Sequence, residues 1–129
     1  MAKTLHIPLT QKWFDMTISG KKKEDYRDLK PYWLKRLMEI DPPHQDFPDE
    51  HKWWAENIIY DIEENGMSLE EAMRSYRAYF KSFESVTLSR AYRTTTSMPF
   101  GGVEYREGKP EWGAEPGKKY LVIKYDQIS

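Results

Sequence analysis

Apolar and polar positions alternate in some stretches of this chain and recur every three to four residues in others, and the two rhythms divide it into strands and helices. Leu5, Ile7 and Leu9 fall on one side and Thr4 and His6 on the other, which predicts a first strand passing through Pro8 into a helix. Trp13, Met16 and Thr17, with Phe14 and Ile18 beside them, predict a short amphipathic helix that Gly20 ends as a left-handed C-cap. From Lys23 the rhythm returns to two. Asp25 and Arg27 then share one strand face, and Glu24, Tyr26 and Asp28 share the other.

The middle of the chain reads as helices. Pro31 suits a first helical position, Leu34, Leu37 and Met38 form the stripe that follows, and Asp41, Pro42 and Pro43 stop it. Residues 44–47 read as a loop and 48–65 as a second helix, with Trp54, Ile58 and Ile62 four apart and Gly66 just beyond. Ser68 and Glu71 form a capping box for a third, whose Leu69, Met73, Tyr76 and Phe80 repeat at helical spacing. Trp53, Trp54, Tyr60, Tyr76 and Tyr79 are spaced as in packed helices and are read as core in preference to a base-stacking platform.

Alternation resumes over 85–93, where Val86 and Leu88 oppose Thr87 and Ser89. Gly101-Gly102 permits a bend or bulge between two strand stretches, residues 107–110 read as a turn, and Pro116-Gly117 fits a type II turn. Residues 118–125 are apolar on both faces, the mark of a central, buried strand. The pattern is therefore α+β: a small, mostly antiparallel β-barrel with a short helix before its second strand and a helical insertion over 31–83, within one domain covering 1–129.

Composition narrows the picture. A chain of 129 residues holds one core, and 15% aromatic residues predict that rings build it. Charged residues at 32%, a mean hydropathy of -0.86 and no apolar run near twenty residues exclude a membrane-spanning helix. The first nine residues lack the long apolar region of a signal peptide. Zero cysteines remove disulfides and thiolate chemistry and fit a cytoplasmic protein.

Charge is distributed unevenly. Residues 1–30 carry seven Lys/Arg against four Asp/Glu, 31–85 six against twelve, and 86–129 seven against five. A pI near 6.3 argues against salt-driven coating of duplex DNA and leaves room for a local basic cleft. The acidic helices offer, as one reading, a docking surface for a basic protein partner. His6 has no second histidine at ligand spacing, so neither a metal nor a cofactor is expected. P-loop, nucleophile-elbow and zinc-protease motifs are absent from the sequence.

The densest chemistry lies in ISGKKKEDYR, residues 18–27. An Asp25–Arg27 pair on one strand face holds the guanidinium in place and leaves Lys22, at the mouth of the strand, as a separate cation. A solvated, lysine-rich turn is the alternative that spacing leaves open.

Gly20, Lys22, Asp25 and Arg27 follow the GxKxxExR signature of the ASCH domains, a branch of the PUA-like superfamily, with Asp25 at the position where that family usually has Glu. The segments LHIPLTQKWFDMTISGKKKEDYRDLKPYW and GKPEWGAEPGKKYLVI also resemble the short ASCH proteins of bacteriophages and prophages. The resemblance implies a PUA-like barrel with a cleft beside its first helix that receives RNA, a nucleotide or a modified nucleoside. It implies ligand contacts from Gly20, Lys22, Asp25 and Arg27; Arg90 and Arg93, outside the signature, are expected on the rim as further cations. One ASCH branch deacetylates N4-acetylcytidine with a lysine, a threonine and a glutamate. Lys22 matches the lysine, Asp25 replaces the threonine, and Glu104 and Glu111 are the candidates for the glutamate, which makes Lys22 and Asp25 the candidate catalytic pair. Another branch is associated with RNA cleavage, for which Lys22, Arg27, Arg90 and Arg93 supply cations and Tyr26 or Tyr92 a ring.

Overall fold

The computed structural model describes residues 3–41, 50–90 and 94–125. In chain order the elements are β1 (Thr4–Leu9), α1 (Gln11–Ile18), β2 (Glu24–Arg27), α2 (Pro31–Leu37), β3 (Met38–Ile40), α3 (Glu50–Glu63), α4 (Leu69–Ser75), β4 (Ala78–Phe80), β5 (Ser85–Arg90), β6 (Thr94–Glu107) and β7 (Lys119–Tyr125), with a 3-10 turn at Pro110–Trp112. The protein is α+β, as the pattern predicts. Its contacts divide it into two compact units, residues 1–27 with 82–129, and residues 28–81.

The first unit is a mixed five-stranded sheet in the order β1-β5-β6-β7-β2, curled into a half-barrel. β1 runs parallel to β5, and the other neighbours pair antiparallel. The long β6 makes the curl possible. Its first half, 94–99, pairs with β5 and its second half with β7, and the register shifts between Phe100 and Val103, so the expected Gly101-Gly102 bulge is present. β7 lies between β6 and β2, and Leu121, Val122 and Ile123 are completely buried. Its two apolar faces need cover on both sides, and they have it. Pro8 sits in β1, an edge strand, where a residue without an N–H breaks no ladder bond on its open side.

The second unit contains α2, α3 and α4 with a two-stranded antiparallel sheet of β3 and β4. Pro31 opens α2, and Ser68 caps α4 by accepting the Glu71 N–H at 3.1 Å. Two expectations fail in this unit. The Leu37–Met38 stripe does not continue as helix, because Met38–Ile40 becomes a strand. The helix expected to reach Phe80 ends at Ser75, where Arg77 takes a positive φ of 55° and sends Ala78–Phe80 back to pair with Met38–Ile40. A partner forty residues away outweighed local periodicity. Trp54 is core at 1% exposure, whereas Trp53, Tyr60 and Tyr79 are exposed, against the reading of all of them as core. Pro42, Pro43, the 44–47 loop and the start of the expected second helix lie outside the described residues. Among the described residues no helix is long and apolar enough to cross a membrane.

Candidate functional site

Three local features deliver the signature residues to one place. The first is the end of α1. Gly20, at a φ of 82°, directs its N–H to Thr17 O at 3.2 Å, while the Lys21 N–H reaches Met16 O at 3.0 Å. That pair of bonds is a Schellman motif, which only a residue tolerant of positive φ closes cheaply. The Lys22 N–H ends on the same Met16 carbonyl at 3.0 Å, so the turn carries Lys22 back under the helix. Gly20, expected among the ligand contacts, is thus a turn-former and does not line the pocket described below.

The second feature is the alternation of β2. Asp25 pairs with Ile123 and Arg27 with Leu121, which puts both on the face shared with the buried side chains of β7. Arg27 Nε donates to Asp25 Oδ2 at 2.5 Å, and Arg27 Nη2 donates to the Pro8 carbonyl at 2.9 Å. Because β1 and β2 are the two edges of the sheet, this guanidinium ties them across the open side of the half-barrel. Lys22 is 3% exposed and places Nζ 3.5 Å from Asp25 Oδ1. The spacing argument set Lys22 apart as a separate cation at the strand mouth. Its burial against Asp25 corrects that, and the Schellman turn is the reason.

The third feature is the turn after β6. Gly113 has a φ of 102°, and a Cβ there would lie 2.9 Å from Trp13 Cζ2, so the bare backbone lets the indole pack against it. Trp112, one residue earlier, faces the same space. Together Pro8, Leu9, Thr10, Trp13, Lys22, Asp25, Tyr26, Arg27, Trp112 and Gly113 line a cavity of about 200 Å³ at the seam between the edge strands. Lys22 and Asp25 are its buried members and make the floor; the half-buried rings of Trp13, Tyr26 and Trp112 make walls.

Burial pushes the Lys22 ammonium below its ordinary value of 10.5, against the opposing pull of Asp25. Tyr26 alternates with Asp25 along β2 and shares the side of Glu24, yet its ring centroid lies 5.9 Å from Lys22 Nζ, so the ring borders the cavity from the strand edge. Burial and the hydrogen bond to Glu24, at 2.6 Å, push its phenol well up, and its oxygen accepts the Lys109 N–H at 2.8 Å. A Cβ on Gly108 would lie 2.5 Å from the Tyr26 ring, so that glycine too is fixed by a close approach. Tyr125, 5% exposed, has a hydroxyl without a partner among the described residues, and burial raises it strongly.

Other candidates lie elsewhere. Arg90 stacks its guanidinium 5.9 Å from the Phe14 ring and is not among the lining residues. Glu104 belongs to the outer face of the sheet, held by Arg106 at 2.6 Å and Lys124 at 2.9 Å, and Glu111 is exposed on the 3-10 turn. Neither reaches the floor of the pocket. Tyr92 and Arg93 lie outside the described residues. Among the described residues no three metal-ligating side chains gather. Sequence reasoning assigned no site role to Trp13 or Trp112. Trp13 was absorbed into the helix stripe, and Trp112 stands in a turn with no rhythm to mark it, though the GKPEWGAEPGKKYLVI segment that contains it was singled out.

These features define a small α+β protein with a charged, buried floor and aromatic walls at the seam of a half-barrel. The chain matches no protein-family model, no curated protein and no solved structure.

Proposed function

We propose that this protein is an ASCH-type, PUA-like module whose pocket takes a single nucleobase, presented by RNA, a nucleotide or a nucleoside. The observation that carries the reading is the combination of a Lys22–Asp25–Arg27 floor with walls from Trp13, Tyr26 and Trp112. Bases stack on aromatic faces at roughly 1–3 kcal/mol each, and their edges offer donors to a carboxylate and acceptors to an ammonium. At about 200 Å³ the cavity is smaller than the roughly 300–1,000 Å³ typical of drug-sized ligands, so it suits one planar ring and its substituents. Calorimetric titration with cytidine, N4-acetylcytidine and a short single-stranded RNA tests this, in parallel with Lys22→Ala. Binding that the variant loses supports the reading; identical titrations for the two proteins remove its basis.

The lowered Lys22 favours a second reading, hydrolysis of an acyl group on a modified base. A buried amine that sheds its proton more readily than usual is a general base, and the Arg27 guanidinium offers charge to a developing oxyanion. N4-Acetylcytidine incubated with purified protein and followed by chromatography decides it. Substrate intact after hours rules the hydrolase out and leaves the binding module.

A further inference from the structure

Both tryptophans that wall the pocket carry a lysine on the ring. Lys12 Nζ stands 4.6 Å from the Trp13 ring centroid, and Lys109 Nζ stands 4.4 Å from that of Trp112. The two lysines come from opposite parts of the chain, one from the first turn of α1 and the other from the turn that follows β6. Both are exposed, and neither forms an ion pair among the described residues. Lys109 does feel the charge of Glu24, but the carboxylate oxygens of Glu24 are engaged by Arg106 and Tyr26. A lysine over an indole at an exposed site gains about 0.5–1 kcal/mol, enough to bias the ammonium toward the ring while its donors stay available to an anion.

The interior is built differently. Its cations surround the Asp25 carboxylate, and Arg27 also spends a donor on the Pro8 carbonyl. A phosphate driven to that floor meets Asp25 at close range; at the rim it meets two exposed ammonium groups, one on each flanking indole. Neither lysine lines the cavity, but each stands on the ring of a tryptophan that does, so the two are exposed cations beside the cavity and apart from its Asp25 floor. We infer that these two lysines form a split phosphate clamp at the pocket rim, so that the ligand is a phosphorylated nucleotide, free or within a single strand, and not a nucleoside.

The inference rests on the base-pocket reading, and one experiment separates the two. The full-length protein is titrated by calorimetry with the ribonucleosides, their 5′-monophosphates and a mixed-sequence RNA hexanucleotide, over a range of salt concentrations. The monophosphate is expected to bind about tenfold more tightly than its nucleoside, a difference near 1.4 kcal/mol. Lys12→Gln with Lys109→Gln should abolish that gain, leave nucleoside affinity unchanged, and flatten the salt dependence of hexanucleotide binding by about 0.7 in log–log slope per lysine. Lys30→Gln with Lys35→Gln, which removes the same charge from the second unit, should change none of these. A further gain on passing from monophosphate to hexanucleotide assigns the clamp to a strand, and equal affinity assigns it to free nucleotides. Nucleoside binding with no phosphate gain, or a double variant that binds like the parent, overturns the clamp alone. Absence of binding by every probe overturns the base pocket and the clamp with it.

Discussion

The two faces of β2 are built from the same kinds of side chain and behave as opposites. On the outer face Glu24 takes Arg106 at 2.7 Å, Arg106 also donates to Glu104 at 2.6 Å, and Glu104 accepts from Lys124 at 2.9 Å. Two acids meet two bases there, at good distances. Glu104, Arg106 and Lys124 remain 36–44% exposed in their side chains, so water and salt screen the ladder. On the inner face Asp25 meets both Lys22 and Arg27, and the Lys22 and Asp25 side chains are only 2% and 6% exposed. The 3.5 Å from Lys22 to Asp25 is long for a charge-assisted hydrogen bond, which ordinarily spans about 2.7–2.9 Å. One face is a closed circuit that braces the sheet. The other gathers a buried lysine and a half-buried arginine around one buried carboxylate, inside the cavity.

The contrast is broken most directly at Asp25. Asp25→Ala leaves Lys22 buried without its counter-charge and frees Arg27 from the carboxylate that orients it, a change expected to cost about 3–5 kcal/mol. Urea unfolding measures it. A loss below about 1 kcal/mol would place the inner face in the same class as exposed ion pairs.

Next in size is the pocket wall. Gly113→Ala puts a side chain at a φ of 102° and a Cβ within 2.9 Å of the Trp13 ring, whereas Gly117→Ala meets a φ of 80° with nothing within 4 Å. Both should lose roughly 1–2 kcal/mol to left-handed strain. Only Gly113→Ala should also weaken base binding, because Trp13 must move. Equal binding by the two variants would mean that Trp13 does not shape the site.

The outer ladder should be the least sensitive. Glu104→Ala removes one rung while Glu24 still holds Arg106, and about 0.2–1 kcal/mol is expected, shrinking in high salt. The pH response has the same direction of reasoning. Burial works to raise Glu24, but hydrogen bonds from Arg106 and Tyr26 outweigh it and hold it below 4.5; Glu104 is held low by Arg106 and Lys124. Their contribution is thus complete above 4.5 and is lost as the pH falls through the lowered folded values. Acid titration of stability should show that loss in the parent and a smaller one in Glu104→Ala.

Much of this arrangement was legible in the chain. Period-two spacing put Asp25 with Arg27 and Glu24 with Tyr26 on opposite faces, Gly20 marked the end of α1, and the doubly apolar 118–125 stretch located the central strand. Such features depend on neighbours within a few residues. The burial of Lys22 was not legible as spacing, because it depends on where the Schellman turn aims the chain and on which strand closes over it. Trp112 was missed for a related reason, since its place follows from the close approach of Gly113 to Trp13, a hundred residues earlier. The β3–β4 pairing failed in the same way, with helical periodicity on both sides and a strand partner only in three dimensions.

The finest test separates charge from packing at Lys22. Lys22→Met keeps the volume and removes the ammonium, and Asp25 retains Arg27, so stability near neutrality should change by no more than about 1 kcal/mol in either direction. Ligand binding should nonetheless disappear, since the ammonium on the cavity floor is gone. Raising the pH sharpens the point. Burial sets the folded-state value of Lys22 below 10.5, so between that lowered value and 10.5 the unfolded chain holds a proton that the folded protein has released. Stability therefore rises with pH through this window in the parent and not in the variant. The raised Tyr26 and Tyr125 phenols pull the other way above their ordinary value of 10, but both proteins contain them and their contribution cancels in the difference. Urea unfolding of the two proteins in parallel, from neutrality to 10.5, should show the parent gaining on the variant. A constant difference would mean that Lys22 titrates like a surface lysine, and the distinction between the two faces of β2 would then be one of geometry alone.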